Sequence, residues 1–340
     1  MKTTIKDVAK KANVSAATVS LVINNNERIS PSTRAKVLKA IKTLNYHPNL
    51  NARGLVSKRT GNIGFILRED HFTRREPFYT KIFMGSEFQA NNGKYYLLLT
   101  TVPATFRNDD ALPRFVLERN VDGIIIAGKV PQELVTGLVE YNIPLVFVDY
   151  YPPEGDSPVV MIDNITGVIK VMKYLSELGH RRIAFIGGDI EHPSIYERFQ
   201  GYKMGLDKAG IAFDPQLTIT DEPLPIPTCG YNAARTLLNL SSDFTAIVAC
   251  NDAMAIGAMQ YLQEQQIRIP EDVSLVGFDD VDTDLNRNPR LTTVSVPEDD
   301  MGVLAMRLMD EIVRGETNLR RRIVVPVELI VRGSTASPKQ

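Results

Sequence analysis

The sequence predicts a small all-α helix-turn-helix head followed by an α/β body of two doubly wound parallel-sheet lobes. Apolar residues at helical spacing near the N-terminus predict the head. From Gly61 onward, apolar strand-like runs alternate with helix-length segments, and this alternation predicts parallel sheets that are covered on both faces. The charge divides at the same place: residues 1–60 hold twelve cations and two anions, whereas the other 280 residues hold 27 cations and 38 anions.

Three short helices are predicted in the head. The first carries apolar residues at the spacing i, i+3, i+4, i+7, namely Ile5, Val8, Ala9 and Ala12. Ser15 is a suitable N-cap for the second helix, and Ser30 followed by Pro31 is a clear start signal for the third. The third helix has an apolar face that consists of Val37, Leu38, Ile41 and Leu44. Because a short turn joins the first two helices, the three form a helix-turn-helix unit.

The second helix has two stripes of small or apolar residues. Val19, Val22 and Ile23 form the stripe that is expected to pack on the first helix. The stripe expected to face outward consists of Ala17, Ser20, Leu21 and Asn24. The alternative for Leu21 is that it folds back into the core of the head. The head carries +10 and the body −11, which indicates a polyanion partner for the head alone.

The totals favour a globular protein of a reducing compartment. No apolar run approaches the ~20 residues that span a bilayer, and the N-terminus lacks the apolar segment of a signal peptide. Cys229 and Cys250 are too few for a disulfide framework, so we expect buried free thiols. We therefore expect a cytoplasmic protein with no membrane partner.

Signals for catalysis, metal binding and cofactor binding are weak. The four histidines are scattered, and no Walker phosphate loop, G-x-S-x-G elbow or complete dinucleotide fingerprint is present. Asp280, Asp282 and Asp284 have the spacing that opens an EF-hand loop. Leu285 and Leu291, however, stand where that loop needs Gly and Glu. We expect no catalytic residue, no metal and no cofactor, although an α/β body is also compatible with an enzyme.

Eight strand-like runs predict the sheets of the body. They are GNIGFIL, YYLLLTT, VDGIIIAG, PLVFVDY, VVMIDN, RIAFIGG, TAIVACN and VSLVGFDD. Since one sheet of typical size would not hold them all, two lobes are expected. Ligands of such folds bind at the carboxyl ends of the strands. Polar residues cluster at those ends, namely Asp149, Asp163, Asn251, Asp252, Asp279 and Asp280.

Several segments carry a resemblance to one protein family. The head contains IKDVAKKANVSAATVSLVIN, STRAKVLKAIKTLNYHPN and NARGL. The body contains ACNDAMAIGAM, VSLVGFDD, PRLTTVSVP and RFQGY. The first set resembles the head of the lactose-repressor/galactose-repressor family of bacterial transcriptional regulators. The second set is similar to that family's effector-binding core, which itself is periplasmic-binding-protein-like.

The resemblance implies a domain organisation and a function. The implied domains are a head at 1–48, a hinge helix and linker at 49–60, an N-terminal lobe at 61–161 with 292–321, and a C-terminal lobe at 162–291 with 322–335. The implied function is that of a DNA-binding transcriptional repressor, which acts as a homodimer on pseudo-palindromic operator DNA. A periplasmic-type sugar-binding protein is the alternative, but it would need a signal peptide and would not need a cationic head.

In this family the second helix of the head lies in the major groove. By position, Ala16, Ala17 and Leu21 fall where base-reading side chains stand. Alanine and leucine make no bidentate hydrogen bonds to bases, but they can pack against a thymine methyl group. Specificity is therefore expected from methyl contacts, backbone-fixed register and DNA deformation. The other residues that the resemblance assigns to the DNA-binding surface are Lys6, Ser15, Thr18, Ser20, Asn24, Tyr46 and Asn49.

The segment 48–55 resembles the family's hinge helix. Leu55 stands where an apolar side chain wedges into the minor groove, and Arg53 would lie along that groove. A helix of roughly eight residues is too short to be stable alone, so we expect it to order only against its symmetry mate and DNA. The alternative is that residues 49–60 are a simple linker.

The resemblance also implies an effector site between the lobes. Its implied residues are Phe78, Tyr79, Asp149, Asp163, Arg198, Asn251 and Asp279. Their polar groups suit sugar hydroxyls, and in a chain without tryptophan only Tyr or Phe can stack on the ring. Helix capping or bonding between lobes is the local alternative for each, and Asp252 is expected to cap the helix starting at Ala253. A sugar or glycoside is the first choice of effector, and a purine-like molecule is the second.

Leu55→Ala should separate specific from non-specific DNA binding. If Leu55 wedges between base pairs, its removal should weaken operator binding by on the order of 1 kcal/mol or more, with little effect on binding to random duplex. Parallel titrations of the two DNAs would measure both affinities. An equal loss on both would show that Leu55 has no wedge role.

Overall fold

The computed structural model describes residues 3–23, 26, 28–46, 59–71, 77–152, 157–241, 243–281, 288–317 and 321–339. The chain forms two compact units, residues 1–61 and 62–340. The predicted hinge lies outside the described residues up to position 58. Four residues that were predicted to bind DNA also lie outside the described residues, namely Asn24, Asn49, Arg53 and Leu55.

The head consists of three helices, α1 Ile5–Ala12, α2 Ala16–Ile23 and α3 Pro31–Thr43. The predicted caps are present: the Thr18 backbone N–H donates to Ser15 Oγ over 3.1 Å, and that of Thr33 donates to Ser30 Oγ over 3.3 Å. These bonds satisfy backbone donors that the first turn of a helix leaves without a partner.

The core of the head lies where the three helices meet. Val8, Val19 and Val37, one from each helix, are fully buried. On α3 the small Ala40 is buried, whereas Leu38 is 51% exposed. The expected place of Leu38 in the core face was therefore wrong, because Val37 and Ala40, three residues apart, already fill the inward side of α3.

Residues 62–162 alternate between strands and helices as predicted. The elements are β1 Asn62–Arg68, α4 Phe78–Gly93, β2 Tyr96–Val102, α5 Arg114–Leu117, β3 Gly123–Ala127, α6 Gln132–Glu140, β4 Leu145–Val148 and β5 Val159–Ile162. A 3-10 turn, Glu69–His71, follows β1. Along β1, Phe65 and Leu67 face one apolar cluster and Ile66 faces another. The strand is therefore buried on both sides, as parallel sheets of α/β proteins are.

The remaining elements continue this alternation. They are α7 Asn164–Glu177, β6 Ile183–Ile186, α8 Pro193–Lys208, β7 Thr218–Ile219, α9 Pro227–Leu240, β8 Ala246–Ala249, α10 Asp252–Glu264, β9 Ser274–Val276, β10 Thr293–Ser295, α11 Glu298–Arg314, β11 Arg322–Val325 and β12 Glu328–Ile330. A second 3-10 turn, Pro215–Leu217, precedes β7.

Two parallel sheets define the lobes. The first has the order β11-β5-β4-β3-β1-β2 and the second β7-β6-β8-β9. In both, the order reverses beside the first strand of the lobe, which is the doubly wound arrangement that the sequence predicts. A two-stranded antiparallel pair, β10 with β12, adjoins the second sheet through bridges from Thr292 to Val276 and from Ser295 to Asp279.

Two boundaries differ from the expected division of the lobes. Arg322 of β11 pairs with Val159 of β5 in the first sheet, so assigning all of 322–335 to the C-terminal lobe was wrong. Thr292 and Ser295 bridge to residues of the C-terminal lobe, although 292–321 was assigned to the N-terminal lobe. The short strands β10 and β11 each add to the edge of a sheet. Which edge a short strand joins depends on tertiary contacts that the local sequence does not encode. The chain thus passes between the sheets after β5, between β10 and α11, and between β11 and β12.

Helices α4 and α11 cross closely over the first sheet. A Cβ atom at Gly85 would lie 2.0 Å from the Asp299 carbonyl oxygen, and one at Gly302 would lie 2.0 Å from that of Ile82. At the crossing, Ser86 Oγ donates to the Gly302 carbonyl oxygen over 3.1 Å. No helix in the described part of the chain is both long enough and apolar enough to cross a membrane.

Gly85→Ala should destabilise the body by about 2 kcal/mol or more, because the added methyl group meets backbone that cannot rotate away. Gly93→Ala, at the end of the same helix, is the matched control. Its methyl group would meet only the Tyr95 side chain, at 3.1 Å, so it should be close to neutral. Urea unfolding of both variants would measure the difference. Equal stability of the two variants would contradict the close crossing.

Candidate ligand site and nucleic-acid interface

The outward side of α2 presents apolar groups to solvent. Leu21 is 40% exposed, so the alternative that places it in the core of the head is excluded. Ala17 is also exposed, whereas Ala16 is half-buried against the head core. The α2 surface can therefore offer methyl groups to a groove, but it offers no bidentate hydrogen-bonding side chain there.

Polar residues surround this apolar surface. Lys6 and Ser15 are exposed, and Ser15 Oγ lies 2.9 Å from Thr18 Oγ1. Thr18 and Ser20 are half-buried, and so is Tyr46, which packs against the head core. A surface of cationic and hydroxyl groups around an apolar centre suits phosphates around a base edge.

The carboxylate of Asp149 lies at the junction of the two lobes. It follows β4, is 96% buried and has a backbone φ of 58°. Tyr79 Oη of α4, in the first lobe, donates to Asp149 Oδ2 over 2.9 Å. Ser194 Oγ of α8, in the second lobe, donates to Asp149 Oδ1 over 2.6 Å. One carboxylate therefore accepts a hydrogen bond from each lobe.

Two histidines flank this carboxylate. The His71 ring stacks on Tyr79 with centroids 4.6 Å apart, and His192 Nε2 lies 4.0 Å from Asp149 Oδ2. Burial, with the charge of Arg68 adding to it, lowers the pKa of His71 to about 4. Burial also lowers the pKa of His192, against the opposing charge of Asp149. Both rings are consequently neutral at pH 7.

Arg198 of α8 is held from several sides within the second lobe. Its Nε donates to Asn164 Oδ1 over 2.9 Å, and its Nη1 donates to the Cys250 carbonyl oxygen over 2.6 Å. Its Nη2 lies 3.2 Å from Asp279 Oδ1, and its guanidinium stacks 3.8 Å above the Phe278 ring. This guanidinium is therefore fixed in position before any ligand arrives.

Asp279 carries an unsatisfied oxygen. Its buried Oδ1 forms the ion pair with Arg198 Nη2, but no donor among the described residues reaches it in hydrogen-bonding geometry. Burial raises the pKa of Asp279 well above its usual value, in spite of Arg198, and the charges of Asp252 and Asp149 add to the rise. A ligand hydroxyl group can complete the hydrogen bonding of this buried carboxyl group.

Ion pairs join the lobes around these groups. Lys129, after β3, lies 2.6 Å from Asp189, after β6. Arg322 of β11 pairs with Glu197 of α8. Two surface grooves, of about 1030 and 570 Å³, lie elsewhere and are lined by none of the residues predicted to bind an effector.

The structure separates the predicted effector residues into two groups. Tyr79 lies beside Asp149, and Arg198 lies beside Asp279, while Phe78 packs edge-on against Tyr79 with centroids 5.1 Å apart. The other two act as helix caps: Asp163 accepts from the Thr166 backbone N–H, and Asn251 accepts from that of Met254. The local alternative therefore accounts for the geometry of Asp163 and Asn251, and an effector role for either stays a prediction.

The expected cap at Asp252 was wrong. Asn251, one residue earlier, has the extended backbone of a cap and fills that role. The Asp252 carboxylate instead accepts from the Val281 backbone N–H over 3.0 Å and from Thr293 Oγ1 over 2.6 Å. It therefore ties the loop after β9 and the strand β10 to the start of α10.

Sequence reasoning missed several residues around Asp149, namely His71, Lys129, His192 and Ser194. One local signal was present, because His192-Pro193 is a helix start that follows the strand-like run RIAFIGG after three residues. No comparable signal marks His71, whose position depends on packing against Tyr79.

A two-lobe ligand domain together with a helix-turn-helix head defines a class of ligand-controlled DNA-binding regulators. Residues 4–49 match the bacterial regulatory proteins of the lacI family, and residues 172–335 match the periplasmic binding protein-like domain. The HTH-type transcriptional regulator RegA of Clostridium saccharobutylicum is 34% identical over 98% of this chain and 100% of its own. The HTH-type transcriptional repressor CytR of Escherichia coli K12 is 32% identical over 98% of this chain and 96% of its own.

A solved structure supports the same assignment. The transcriptional regulator CelR in its cellobiose complex is 32% identical to this chain, with a TM-score of 0.75 over 98% of this chain and 100% of that one. The chain belongs to the lacI family of bacterial regulatory proteins. The predicted resemblance, the predicted fold class and the prediction of a DNA-binding transcriptional regulator are thereby confirmed.

The buried His71 should make the body less stable in mild acid. Its pKa of about 4 lies below the value of about 6.5 expected in the unfolded chain, so unfolding takes up a proton as pH falls through this window. His71→Phe keeps an aromatic ring on Tyr79 but removes this uptake. Between pH 7.5 and 5.5 the variant should therefore lose about 1 kcal/mol less unfolding free energy than the parent in urea titrations. Equal losses would show that His71 is not kept neutral by the fold.

Proposed function

We propose that this regulator is a homodimeric repressor of pseudo-palindromic operator DNA and that a sugar or glycoside bound between the lobes controls it. The observation that carries the effector part is the carboxylate of Asp149, which accepts hydrogen bonds from Tyr79 of one lobe and Ser194 of the other. A ligand that exchanges hydrogen bonds with this carboxylate acts on both lobes at once. Repression is supported by the relative CytR, which is named a repressor.

Recognition of the operator uses the apolar surface of α2. The exposed Ala17 and Leu21 can contact thymine methyl groups, while hydroxyl groups such as Ser15 contact the flanking phosphates. Because two copies of such a helix read two half-sites, the operator is expected to have pseudo-two-fold symmetry. Leu55 and Arg53 keep their proposed hinge roles.

The effector site combines groups that suit a sugar. Asp279 Oδ1 forms an ion pair with Arg198 but accepts no hydrogen bond from the described residues, so this carboxyl group can still hydrogen-bond a sugar hydroxyl group. The half-buried Phe78 and Tyr79 supply aromatic rings of the kind on which a sugar ring packs. The cellobiose of the CelR complex supports this class of ligand.

The effector is expected to bind without reacting. Asp149, His192 and Ser194 include the residue types of a nucleophilic triad, but their bonds differ from it. Ser194 Oγ donates directly to the carboxylate, and His192 Nδ1 accepts from the Ser194 backbone N–H over 3.3 Å. Among the described residues, no imidazole is therefore positioned as a base for the serine hydroxyl. Since the relatives are named transcriptional regulators, we infer that the protein is not an enzyme.

Effector control requires different affinities of the effector for two arrangements of the lobes. Coupling between sites typically amounts to about 1–3 kcal/mol, a factor of about 5 to 150 in affinity. Hydrogen bonds to Asp149 and the Lys129–Asp189 ion pair join the lobes in the arrangement seen here, so a ligand that replaces them changes the relative free energy of this arrangement.

Operator binding with and without sugars tests this function. A duplex selected from a random-sequence library by the full-length protein would serve as operator, and fluorescence anisotropy would give its Kd. At least one sugar from a panel of mono- and disaccharides should change that Kd fivefold or more. The proposed effector class would be contradicted if no sugar of the panel changed the operator Kd, or if only nucleobases changed it.

Arg198→Ala should abolish the sugar response while leaving effector-free operator binding within about twofold of the parent, because Arg198 acts at the ligand site. Arg181→Ala is the matched control, since Arg181 is exposed and lies outside the site. Circular dichroism would show that the variant is folded. A parental sugar response in a folded Arg198→Ala protein would remove this residue from the site.

A further inference from the structure

A series of side-chain bonds connects the first lobe to Arg198, the guanidinium of the proposed effector site. It runs from Arg322 through Glu197 and Asn164, and none of these three was among the predicted effector residues. We propose that Glu197 and Asn164 are positioning residues for Arg198, and that Arg322 makes their hold on it depend on the arrangement of the two lobes. This inference rests on the proposed effector site and adds residues that act on the site from outside it.

The inner part of the series is a buried amide. Asn164, the first residue of α7, is 1% exposed, and its Oδ1 accepts from Arg198 Nε over 2.9 Å. Its Nδ2 donates to Glu197 Oε2 over 3.0 Å. Because a guanidinium only donates and a carboxylate only accepts, the amide has one favourable orientation between them. Asn164 therefore links the position of Glu197 to the Nε of Arg198.

The outer part of the series crosses from one lobe to the other. Glu197 belongs to α8 of the second lobe, and its Oε1 accepts from Nη2 of Arg322, which lies on β11 in the first sheet. The side chain of Glu197 is 14% exposed and that of Arg322 is 46% exposed. An ion pair this exposed contributes little to stability by itself. Its effect is to hold one oxygen of the Glu197 carboxylate while Asn164 binds the other.

Both ends of the series lie beside passages of the chain between the lobes. Asn164 directly follows β5, where the chain leaves the first sheet, and Arg322 begins β11, the last strand of that sheet before the chain leaves it again. Closure between domains concentrates changes of backbone angle in such connecting segments. A change in the angle between the lobes therefore alters the distance from Arg322 to Glu197.

The other described contacts of Arg198 come from the second lobe. They are the Cys250 carbonyl oxygen, the Asp279 carboxylate and the Phe278 ring. The first two hold the Nη atoms, whereas Asn164 holds Nε. The series through Glu197 thus gives the first lobe a hydrogen-bonded route to the guanidinium that the effector is proposed to contact.

Hydrogen exchange at Arg198 Nε tests the inner link without any sugar. Arginine-selective ¹⁵N spectra of the full-length protein would follow this N–H, identified by the loss of its signal in Arg198→Lys. Asn164→Ala should speed its exchange with water at least tenfold and Glu197→Gln at least threefold, because both weaken the acceptor that holds it. Glu311→Gln is the matched control, since Glu311 forms a comparable ion pair with Arg321, over 2.9 Å, and it should leave the rate unchanged.

A double-mutant cycle tests the outer link. Isothermal titration with cellobiose, glucose, fructose and ribose would compare the parent, Glu197→Gln, Arg322→Gln and the double variant. For each sugar that binds the parent, either single change should lower the affinity at least threefold. The double variant should match Glu197→Gln within about 1.5-fold, because Arg322 acts through that carboxylate. The same cycle on Arg321 and Glu311 should leave the sugar affinity unchanged.

The outcomes separate this inference from the proposed function. Unchanged exchange in a folded Glu197→Gln protein would overturn the inference, and so would faster exchange with unchanged sugar affinity, since Glu197 would then have only a local structural role. Both results leave the sugar effector standing. A loss caused by Arg322→Gln that persists in full in the Glu197→Gln protein would overturn the part assigned to Arg322.

Two further results are decisive. If none of these sugars binds the parent, the proposed sugar effector is contradicted, while the exchange rates still show whether Glu197 and Asn164 position Arg198. Circular dichroism would show which variants are folded. Glu197→Gln keeps the size of the side chain, and it decides the question whether or not Asn164→Ala folds.

Discussion

The arrangement of the lobes depends on the two hydrogen bonds that the buried carboxylate of Asp149 accepts. Neither lobe satisfies it alone, because Tyr79 supplies one donor and Ser194 the other. Hydrogen bonds to an ionised group are roughly twice as strong as neutral ones, and losing one inside a protein is costly. The ion pairs at the edge, such as Lys129 with Asp189, are more exposed and contribute less. Closure of the body thus relies on bonds to hydroxyl groups, which are the kind of bond that a polyhydroxylated ligand can replace.

The carboxylates of the site stand on unusual backbone. Asp149 has a φ of 58°, Asp279 of 112° and Asp280 of 60°, in a region that non-glycine residues seldom adopt. Such conformations cost about 1–3 kcal/mol each and persist where the surrounding structure enforces them. Side-chain contacts hold these residues: Tyr79 and Ser194 hydrogen-bond Asp149, Arg198 lies beside Asp279, and Arg332 pairs with Asp280. The strained strand ends are therefore fixed by groups from the surrounding elements.

The head and the strands could be predicted from local signals in the sequence, whereas the features that were missed depend on tertiary contacts. Ser15 and Ser30 were found because caps depend on adjacent residues. Leu38 was misplaced because hydrophobicity alone does not show that the smaller Ala40 takes the inward position. At the site, Tyr79, Asp149, Arg198 and Asp279 came from the resemblance as single residues, and their pairing came from the structure. His71 and Ser194 escaped notice because their role arises only when they fold against the Asp149 region, from which they lie 78 and 45 residues away in sequence.

The path of the chain between the sheets has a mechanical consequence. Its three passages lie at residues 162–164, 295–298 and 325–328, and proline stands in the last two, at Pro297 and Pro326. Because proline restricts φ, these two connecting segments are stiff. Three parallel tethers permit bending about a common axis but resist twisting and sliding apart. A single peptide cleavage in any one of them would leave the lobes joined by the other two, so the body can tolerate a nick there without falling into halves.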